Sequence, residues 1–258
     1  MNDIIYNFGR IKNELIVLLL ISILFLNCSK PILNTGSLQL NYRLYFGDTI
    51  LQKDNQYPFS TFGKKYFFRP DVVKIYLSNV RTSNNIYVLS YTDIALMNLN
   101  DSNTLSIFYN FKSNERTSPL EFTLGLTSEY NNSDPNKFPI EHPLSTAKSM
   151  YWGMMKYRFV VIEGSISDSN GVTLNNVSYH TGVDLSRFIV FKDALKLGVN
   201  HAAITDIKID IKKIFTYPGQ EINPVTEKLT HSSPGAEYEL AKKITNNLES
   251  GISILKSE

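Results

Sequence analysis

The feature that most constrains the fold is a two-residue alternation of apolar and polar side chains, which recurs along most of the chain. In Leu38–Phe46, every second residue is Leu, Tyr or Phe, and polar residues such as Gln39 and Arg43 lie between them. Successive side chains of a strand point to opposite faces, so the pattern indicates a strand that is buried on one face. Strands are also predicted at Val72–Val80, Tyr87–Tyr91, Phe122–Leu126, Phe159–Ile162, Val177–His180 and Ile207–Ile211. Many such strands without long helices between them predict a mainly β fold, an antiparallel β-sandwich or barrel, and we expect the sandwich.

Loops and turns separate these strands. Ser83–Asn85 and Asp168–Gly171 are typical of hairpin loops, and Asn131–Pro139 predicts a long loop in which strand pairing stops. The loop carries several oxygen donors, but Asp134 is its only carboxylate. Because calcium sites usually contain several carboxylates, a solvated turn is favoured over a calcium site.

One amphipathic helix is predicted at the C-terminal end. Ser233 is a candidate N-cap, and Pro234 follows at the first helical position. Apolar residues then recur every four positions, at Ala236, Leu240, Ile244 and Leu248, and Gly251 is the predicted stop.

Residues 1–27 are predicted to be a lipoprotein signal peptide. Arg10 and Lys12 precede the apolar run Leu15–Leu26, which is too short to span a bilayer as a helix but typical of an export signal. Cys28 comes just after the run and resembles the cysteine of a bacterial lipobox, which becomes acylated. We therefore expect a membrane tether over residues 28–36 and a single domain over residues 37–258. The alternative is a plain secretory signal followed by a chance cysteine.

Composition excludes several classes of function. The 26 Lys and Arg residues nearly balance the 24 Asp and Glu residues, and a net charge of +2 is too small for binding nucleic acid electrostatically. The single cysteine excludes an internal disulfide and a thiolate zinc site. Sequence signatures of hydrolases, metalloproteases and nucleotide-binding enzymes are not found in the sequence, so we expect a non-enzymatic binding protein. Lys208, Lys212 and Lys213 are interpreted as one solvated strand face.

Two groups of residues are candidates for binding a soft metal ion. The four histidines, His142, His180, His201 and His231, are 38, 21 and 30 residues apart, so only the fold could assemble a site from them. The segment Ser149–Phe159 holds three of the five methionines and the only tryptophan, Trp152. Imidazole and thioether ligands suit Cu(I). The alternative is that Met150 and its neighbours fill a β-core, as adaptable methionines often do.

Taken together, these segments resemble the MbnP-like family of exported, copper-associated proteins, which are common as lipoproteins in Bacteroidetes. The resemblance is carried by the opening strand Leu38–Tyr42, the strand Val73–Val80, the Met150-Tyr151-Trp152 motif with the strand Tyr157–Gly164 that ends in Glu-Gly, and Tyr179-His180-Thr181-Gly182. Met154 and Lys156 stand near positions where many members have a second Trp and a Gly, a departure that bears on tryptophan oxidation more than on the fold.

The resemblance implies a β-sandwich that handles copper outside the cytoplasm as an outer-membrane lipoprotein. His180 and His231 are the first candidates for copper ligands, and His142 and Met150 are the second. Trp152 is a candidate for oxidation to kynurenine by a di-haem partner of the MbnH type, and a TonB-dependent transporter is a further expected partner. Since neutral imidazole binds metal, we expect affinity to fall below about pH 6.5.

Two other functions remain open from the sequence. The first is a surface lipoprotein that binds a glycan or a partner protein through exposed aromatic residues, with candidates Tyr45, Tyr57, Tyr66, Phe67 and Phe68. The second is a purely structural accessory subunit of the outer membrane. Converging histidine rings would favour copper, whereas a flat exposed strip of Tyr and Phe would favour the aromatic platform.

Overall fold

The computed structural model describes residues 35–82, 88–89, 94–112, 117–196, 198–199 and 202–257. The signal segment with Cys28, the predicted hairpin loop Ser83–Asn85 and His201 lie outside these residues. The strands are β1 Thr35–Phe46, β2 Thr49–Ile50, β3 Tyr57–Thr61, β4 Lys64–Thr82, β5 Val88–Leu89, β6 Ile94–Asn98, β7 Thr104–Lys112, β8 Thr117–Leu124, β9 Arg158–Ser167, β10 Thr173–Gly182, β11 Arg187–Lys196, β12 Gly198–Val199, β13 Ala202–Asp210, β14 Leu229–Thr230 and β15 Ile252–Ser257. The helices are α1 Ser128–Asn131, α2 Lys212–Thr216 and α3 Ala236–Ser250, with short 3-10 turns at Pro135–Lys137, Thr146–Lys148 and Gly153–Met155.

The described strands form two sheets, which confirms the predicted β-sandwich. The first sheet has the order β15-β13-β1-β7-β5, with β2 and β12 also paired to β1. The second has the order β11-β8-β4-β9-β10-β14, with β3 and β6 paired to β4. Residues such as Tyr42, Leu44, Phe122 and Ile162, each fully or almost fully buried, belong to one apolar core that draws on both sheets. Alternation in β1 is confirmed, since Leu38 to Phe46 are buried at every second position.

Two strand pairs are parallel, which the sequence pattern did not predict. β13 runs parallel to β1, from Ser37 opposite Ala202 to Tyr45 opposite Asp210. β14 runs parallel to β10 at the edge of the second sheet. The other described pairs are antiparallel, as the alternating pattern predicted.

The C-terminal helix α3 is confirmed, with a different N-terminus. Leu240, Ile244 and Leu248 are buried in the core, as their four-residue spacing predicted. The N-cap is Gly235, at φ 93°, and no side-chain hydrogen bond caps this end, so the prediction of Ser233 as N-cap is wrong. Gly251 ends the helix as predicted and donates its backbone N–H to Leu248.

The basic residues predicted on one strand face lie on two elements. Lys208 belongs to β13 and donates to Asp48 at 3.3 Å, whereas Lys212 and Lys213 lie in α2. The chain leaves the sheet after Asp210, whose carboxylate accepts the backbone N–H of Lys212 at 3.1 Å. The single-face interpretation is therefore wrong.

A long excursion between β8 and β9, residues 125–157, packs on the second sheet. It contributes Leu126, Leu144, Met150 and Tyr157 to a second apolar cluster with Phe159 and Val161 of β9 and Tyr76 of β4. Neighbouring β9 residues Val160 and Ile162 belong to the main core, so the second cluster lies on the opposite, outer face of the sheet. Among the residues described, no helix has the length and apolarity needed to cross a bilayer.

Candidate metal centre

The antiparallel pair β9–β10 places Glu163 beside His180. Glu163 is opposite Ser178 and His180 is opposite Val161, so all four side chains lie on one face of the sheet. This is the outer face, because Val161 belongs to the second apolar cluster. Glu163 and His180 are diagonal neighbours in this register, and Glu163 Oε1 lies 2.7 Å from His180 Nε2.

The short strand β14 places His231 against His180. Because β14 pairs in parallel with β10, Tyr179 is opposite Thr230, and the next residues along the two chains are His180 and His231. The two Nδ1 atoms are 2.9 Å apart, and the ring centroids are 4.8 Å apart. Residues separated by 51 positions in the chain therefore meet at the sheet edge.

Hydrogen bonds hold the His231 segment in place. Glu237 in the first turn of α3 accepts the backbone N–H of His231 at 2.9 Å, and this bond lowers the pKa of the Glu237 carboxyl. The hydroxyl of the following residue, Ser232, donates to the backbone carbonyl of His180 at 2.9 Å. The segment is thus held at His231 by its backbone N–H and at Ser232 by its side chain.

Trp152 covers the two imidazoles from the excursion. Its ring lies edge-on to His231 and His180, with centroid distances of 4.7 and 5.8 Å. The turn that carries it is closed by a 2.7 Å hydrogen bond from the backbone N–H of Trp152 to the carbonyl of Lys156. The guanidinium of Arg158 lies 5.7 Å from the Trp152 ring centroid. We call His180, His231 and Trp152 the His–Trp cluster.

The hydrogen bonds assign the protons on the two rings. A carboxylate accepts hydrogen bonds, so with Glu163 ionised, Nε2 of His180 carries the proton and its Nδ1 carries a lone pair. Nδ1 of His231 is then the donor in the short contact between the rings. Burial lowers the pKa of His180, and the neighbouring Arg158 and His231 act in the same direction, while the hydrogen bond to Glu163 opposes them. His180 is therefore held neutral, the form that binds metal.

The donor set fits a soft ion held by two nitrogens. His180 Nδ1 and His231 Nδ1 face each other, and each can present a lone pair once His231 carries its proton on Nε2. Metal–nitrogen bonds are about 2.0 Å, so an ion between the rings needs the nitrogens about 4 Å apart, and the pair, 2.9 Å apart in this structure, must open by about 1 Å to hold it. Among the described residues, no three His, Cys, Asp or Glu side chains are grouped as ligands of one ion. Glu163 bonds the opposite nitrogen of His180, which makes it an orienting group rather than a third ligand.

The other residues predicted for the site lie in other surroundings. His142 stacks on Phe138 at 4.3 Å, its Nδ1 accepts the backbone N–H of Leu144, and burial lowers its pKa. Met150 is fully buried in the second apolar cluster, the packing role considered as the alternative. Cys28 and His201 lie outside the described residues.

The predicted aromatic platform is not favoured by the structure. Tyr57, Tyr66 and Phe68 are at most 6% exposed and lie in the main core. Three of the five candidates are therefore buried, so these residues do not form a flat exposed strip.

From the sequence, Glu163 belongs to the Glu-Gly motif that carries the family resemblance, but its position next to His180 was not predicted. The nearest signal is the predicted hairpin turn Asp168–Gly171, which pairs β9 with β10 but does not fix which residues face each other, because the register shifts between Thr173 and Asn175. Asp168 stabilises this predicted turn by accepting the backbone N–H groups of Asn170 and Val172, each at 2.9 Å.

Comparisons with known proteins agree with this fold. The sequence model of the MbnP family matches residues 35–233, a range that contains Trp152, Glu163, His180 and His231. Among solved structures, MbnP from Methylosinus trichosporium superposes with a TM-score of 0.54 and 12% sequence identity, covering 80% of this chain and 87% of that chain. At this identity the structural likeness establishes a shared fold. None of the curated proteins compared matches the chain in sequence.

Proposed function

This chain belongs to the MbnP family, and from that premise we propose that it is an extracytoplasmic, non-enzymatic copper-binding protein whose ligands are His180 and His231. The observation that carries the proposal is the 2.9 Å approach of the two Nδ1 atoms at the edge of the second sheet. Two imidazole nitrogens that face each other suit Cu(I), a soft ion, once His231 has turned its proton to Nε2. The copper implied by the family resemblance thus has a matching donor pair in this chain.

Glu163 prepares the pair for binding. By accepting the Nε2 proton of His180, it directs the lone pair of Nδ1 toward His231 and makes that nitrogen more basic. Binding of copper between the two Nδ1 atoms then requires His231 to adopt the tautomer whose proton is on Nε2. Uptake weakens as the pH falls, because protons compete with the ion for the two imidazoles.

Trp152 is proposed as the residue that a di-haem partner of the MbnH type oxidises. It is 44% exposed, which supports access by a partner, and its ring borders both imidazoles. In this reaction the indole would lose four electrons and four protons, three waters would supply the oxygen atoms and ring carbon C2 would leave as formate, with the haem partner passing the electrons to an oxidant of the peroxide class. The kynurenine formed carries an aryl amine, a third nitrogen beside the two imidazoles.

The location proposed for the protein is the outer membrane, to which acylated Cys28 would anchor it. Two or more acyl chains are enough for stable membrane attachment. A TonB-dependent transporter is a proposed neighbour there. Intact-mass spectrometry of the protein isolated from its own cells detects the total mass change, and peptide mapping assigns it, because acylation of Cys28 and oxidation of Trp152 change the mass of different peptides.

Copper titration tests the central proposal. Anaerobic competition against a Cu(I) chelator should give one bound ion per chain, and His180→Ala and His231→Ala should each abolish tight uptake. His142→Ala is the matched control and should retain it, because the His142 ring packs on Phe138. Absence of uptake, or uptake that survives both His180→Ala and His231→Ala, would overturn the proposal.

A further inference from the structure

A cavity of about 790 Å³ lies beside the His–Trp cluster. Two of its walls are formed by the segments that follow Trp152 and His231 in the chain. One wall is the turn that follows Trp152, through Met155 and Lys156, and the other is the segment that follows His231, through Ser232 and Pro234. The volume is within the range of about 300–1,000 Å³ that is typical of small-molecule sites. The cavity is separate from the imidazole pair, since neither His180 nor His231 lines it.

Unusual backbone conformations are concentrated around this cavity. Lys156, Val183 and Ser232 all line it, and their φ angles are 58°, 62° and 61°. Residues with a Cβ rarely adopt positive φ, and for a β-branched valine it is a clear outlier. Such conformations persist only where the surrounding structure enforces them, and they cluster at ligand sites.

Hydrogen bonds enforce these conformations. The amide of Asn131, a buried residue of α1, donates to the carbonyl of Val183 at 2.9 Å and accepts the backbone N–H of Tyr157 at 3.2 Å. One side chain therefore ties the Val183 turn to the end of the excursion. With Ser232 bonded to His180, the walls are formed before any ligand binds, which lowers the entropic penalty of binding.

The lining of the cavity indicates the chemistry of its ligand. Leu126, Val183 and Pro234 provide apolar surface. The ammonium of Lys156 has three donors, one of which is directed to the side chain of Asn132. The carboxylate of Asp184 already accepts the hydroxyl of Tyr238 at 2.8 Å and is thus held by a neighbour within the protein, while two donors of Lys156 remain for a ligand.

We propose that this cavity is a binding site for a small organic anion with an apolar body, whose charged group pairs with Lys156. The inference does not depend on copper binding, because it rests on the cavity, on the positive φ angles of its walls and on the ammonium of Lys156.

Anilinonaphthalene sulfonate, an apolar dye with one anionic group, tests the proposal. Trp152 is the only tryptophan in the sequence and borders the cavity wall, so energy transfer from Trp152 reports binding of the dye, and the cavity variants locate it. We expect saturable binding of one dye per chain, with strong energy transfer. Absence of saturable binding would overturn the proposal.

Variants of the cavity provide the decisive comparison. Lys156→Glu and Ser186→Phe should each weaken dye binding by about tenfold or more, through charge reversal and through filling of the cavity. Lys156→Gly removes the charge while accepting positive φ, so it tests the charge even if Lys156→Glu fails to fold. Lys53→Glu, the same charge change at an exposed lysine outside the cavity, should leave binding unchanged.

The outcomes separate this proposal from the copper site. The cavity variants should retain Cu(I) uptake, whereas His180→Ala should lose uptake and retain the dye. Dye binding that is unchanged in Ser186→Phe and in both Lys156 variants would place the dye elsewhere and overturn the proposal.

Discussion

The carboxylate of Glu163 lies 2.7 Å from Nε2 of His180 and fixes the tautomer of that ring. The other ring nitrogen of His180 thereby presents its lone pair to His231, 2.9 Å away. A carboxylate that orients a metal-binding histidine in this way usually contributes strongly to affinity although it does not touch the ion.

Glu163→Gln is therefore expected to weaken Cu(I) binding by about 10- to 100-fold. A neutral amide is a poorer acceptor than a carboxylate, so it fixes the tautomer less firmly and makes Nδ1 less basic. Competition titration against a Cu(I) chelator measures the change. Glu141→Gln, at an exposed acid of the excursion, is the control and should bind copper like the wild type. Equal affinity in both variants would mean that Glu163 has only a structural role.

The stability of the fold is expected to fall as the pH drops below about 6.5, the value for an unperturbed histidine. Burial is the main cause that lowers the folded-state pKa of His180, and burial also lowers the folded-state pKa of His142. Between the lowered folded-state pKa and about 6.5, the unfolded chain binds more protons, so acidification favours unfolding. Urea unfolding across this pH window measures the effect.

Variants separate the two histidines in that experiment. His180→Gln and His142→Gln should each flatten the dependence of the unfolding free energy on pH, and the double variant should be the flattest. A dependence as steep in the double variant as in the wild type would assign the effect to other groups.

Copper binding is expected to quench the fluorescence of Trp152. The sequence has one tryptophan, and its ring lies 4.7 Å from that of His231, so an ion held by the two imidazoles would be close to the indole. Anaerobic titration with Cu(I) should reduce the emission until one equivalent has been added and not beyond, because the ion bound by the two imidazoles is the one close to the indole. The His142→Ala protein should respond similarly, whereas an unchanged emission in the wild type would contradict the assigned site.

Gly164→Ala is expected to destabilise the fold by about 1–3 kcal/mol. A Cβ at this position would lie 2.3 Å from the backbone oxygen of Arg69 in β4 and 2.6 Å from the ring of Phe68. The glycine that follows Glu163 thus allows β4 and β9 to approach closely. Urea unfolding measures the loss, with Ser165→Ala as the neighbouring control, expected within about 0.5 kcal/mol of the wild type. A Gly164→Ala protein as stable as this control would show that the strands separate easily.

Alternation predicted the strands and the sandwich because each sheet buries one face, as Leu38, Leu40 and Tyr42 show in β1. The parallel pairing of β1 with β13 could not be predicted, because alternation does not specify which strands become neighbours. The start of α3 was mispredicted for a local reason. Ser233 has the right chemistry for an N-cap, but positive φ at Gly235 delays the helix.

The candidate site depended on the part of the fold that is hardest to predict. β14 has only two residues and no periodicity of its own, yet it brings His231 to His180. The hairpin turn suggested that β9 and β10 pair, but a register shift between Thr173 and Asn175 decides which residues face each other. A shift of one residue moves every side chain to the other face, so the meeting of Glu163 and His180 required the structure.

The parallel pairing of β1 with β13 also has a consequence for how the protein folds. The first strand is hydrogen-bonded between β7 and β13, and its partner Ala202–Asp210 is separated from it by more than half of the chain. The first sheet can be completed only after those late residues have been synthesised, and contacts between such distant segments slow folding. Until then the apolar face of β1 needs protection from aggregation, so nascent chains shortened before Asp210 should depend on chaperones.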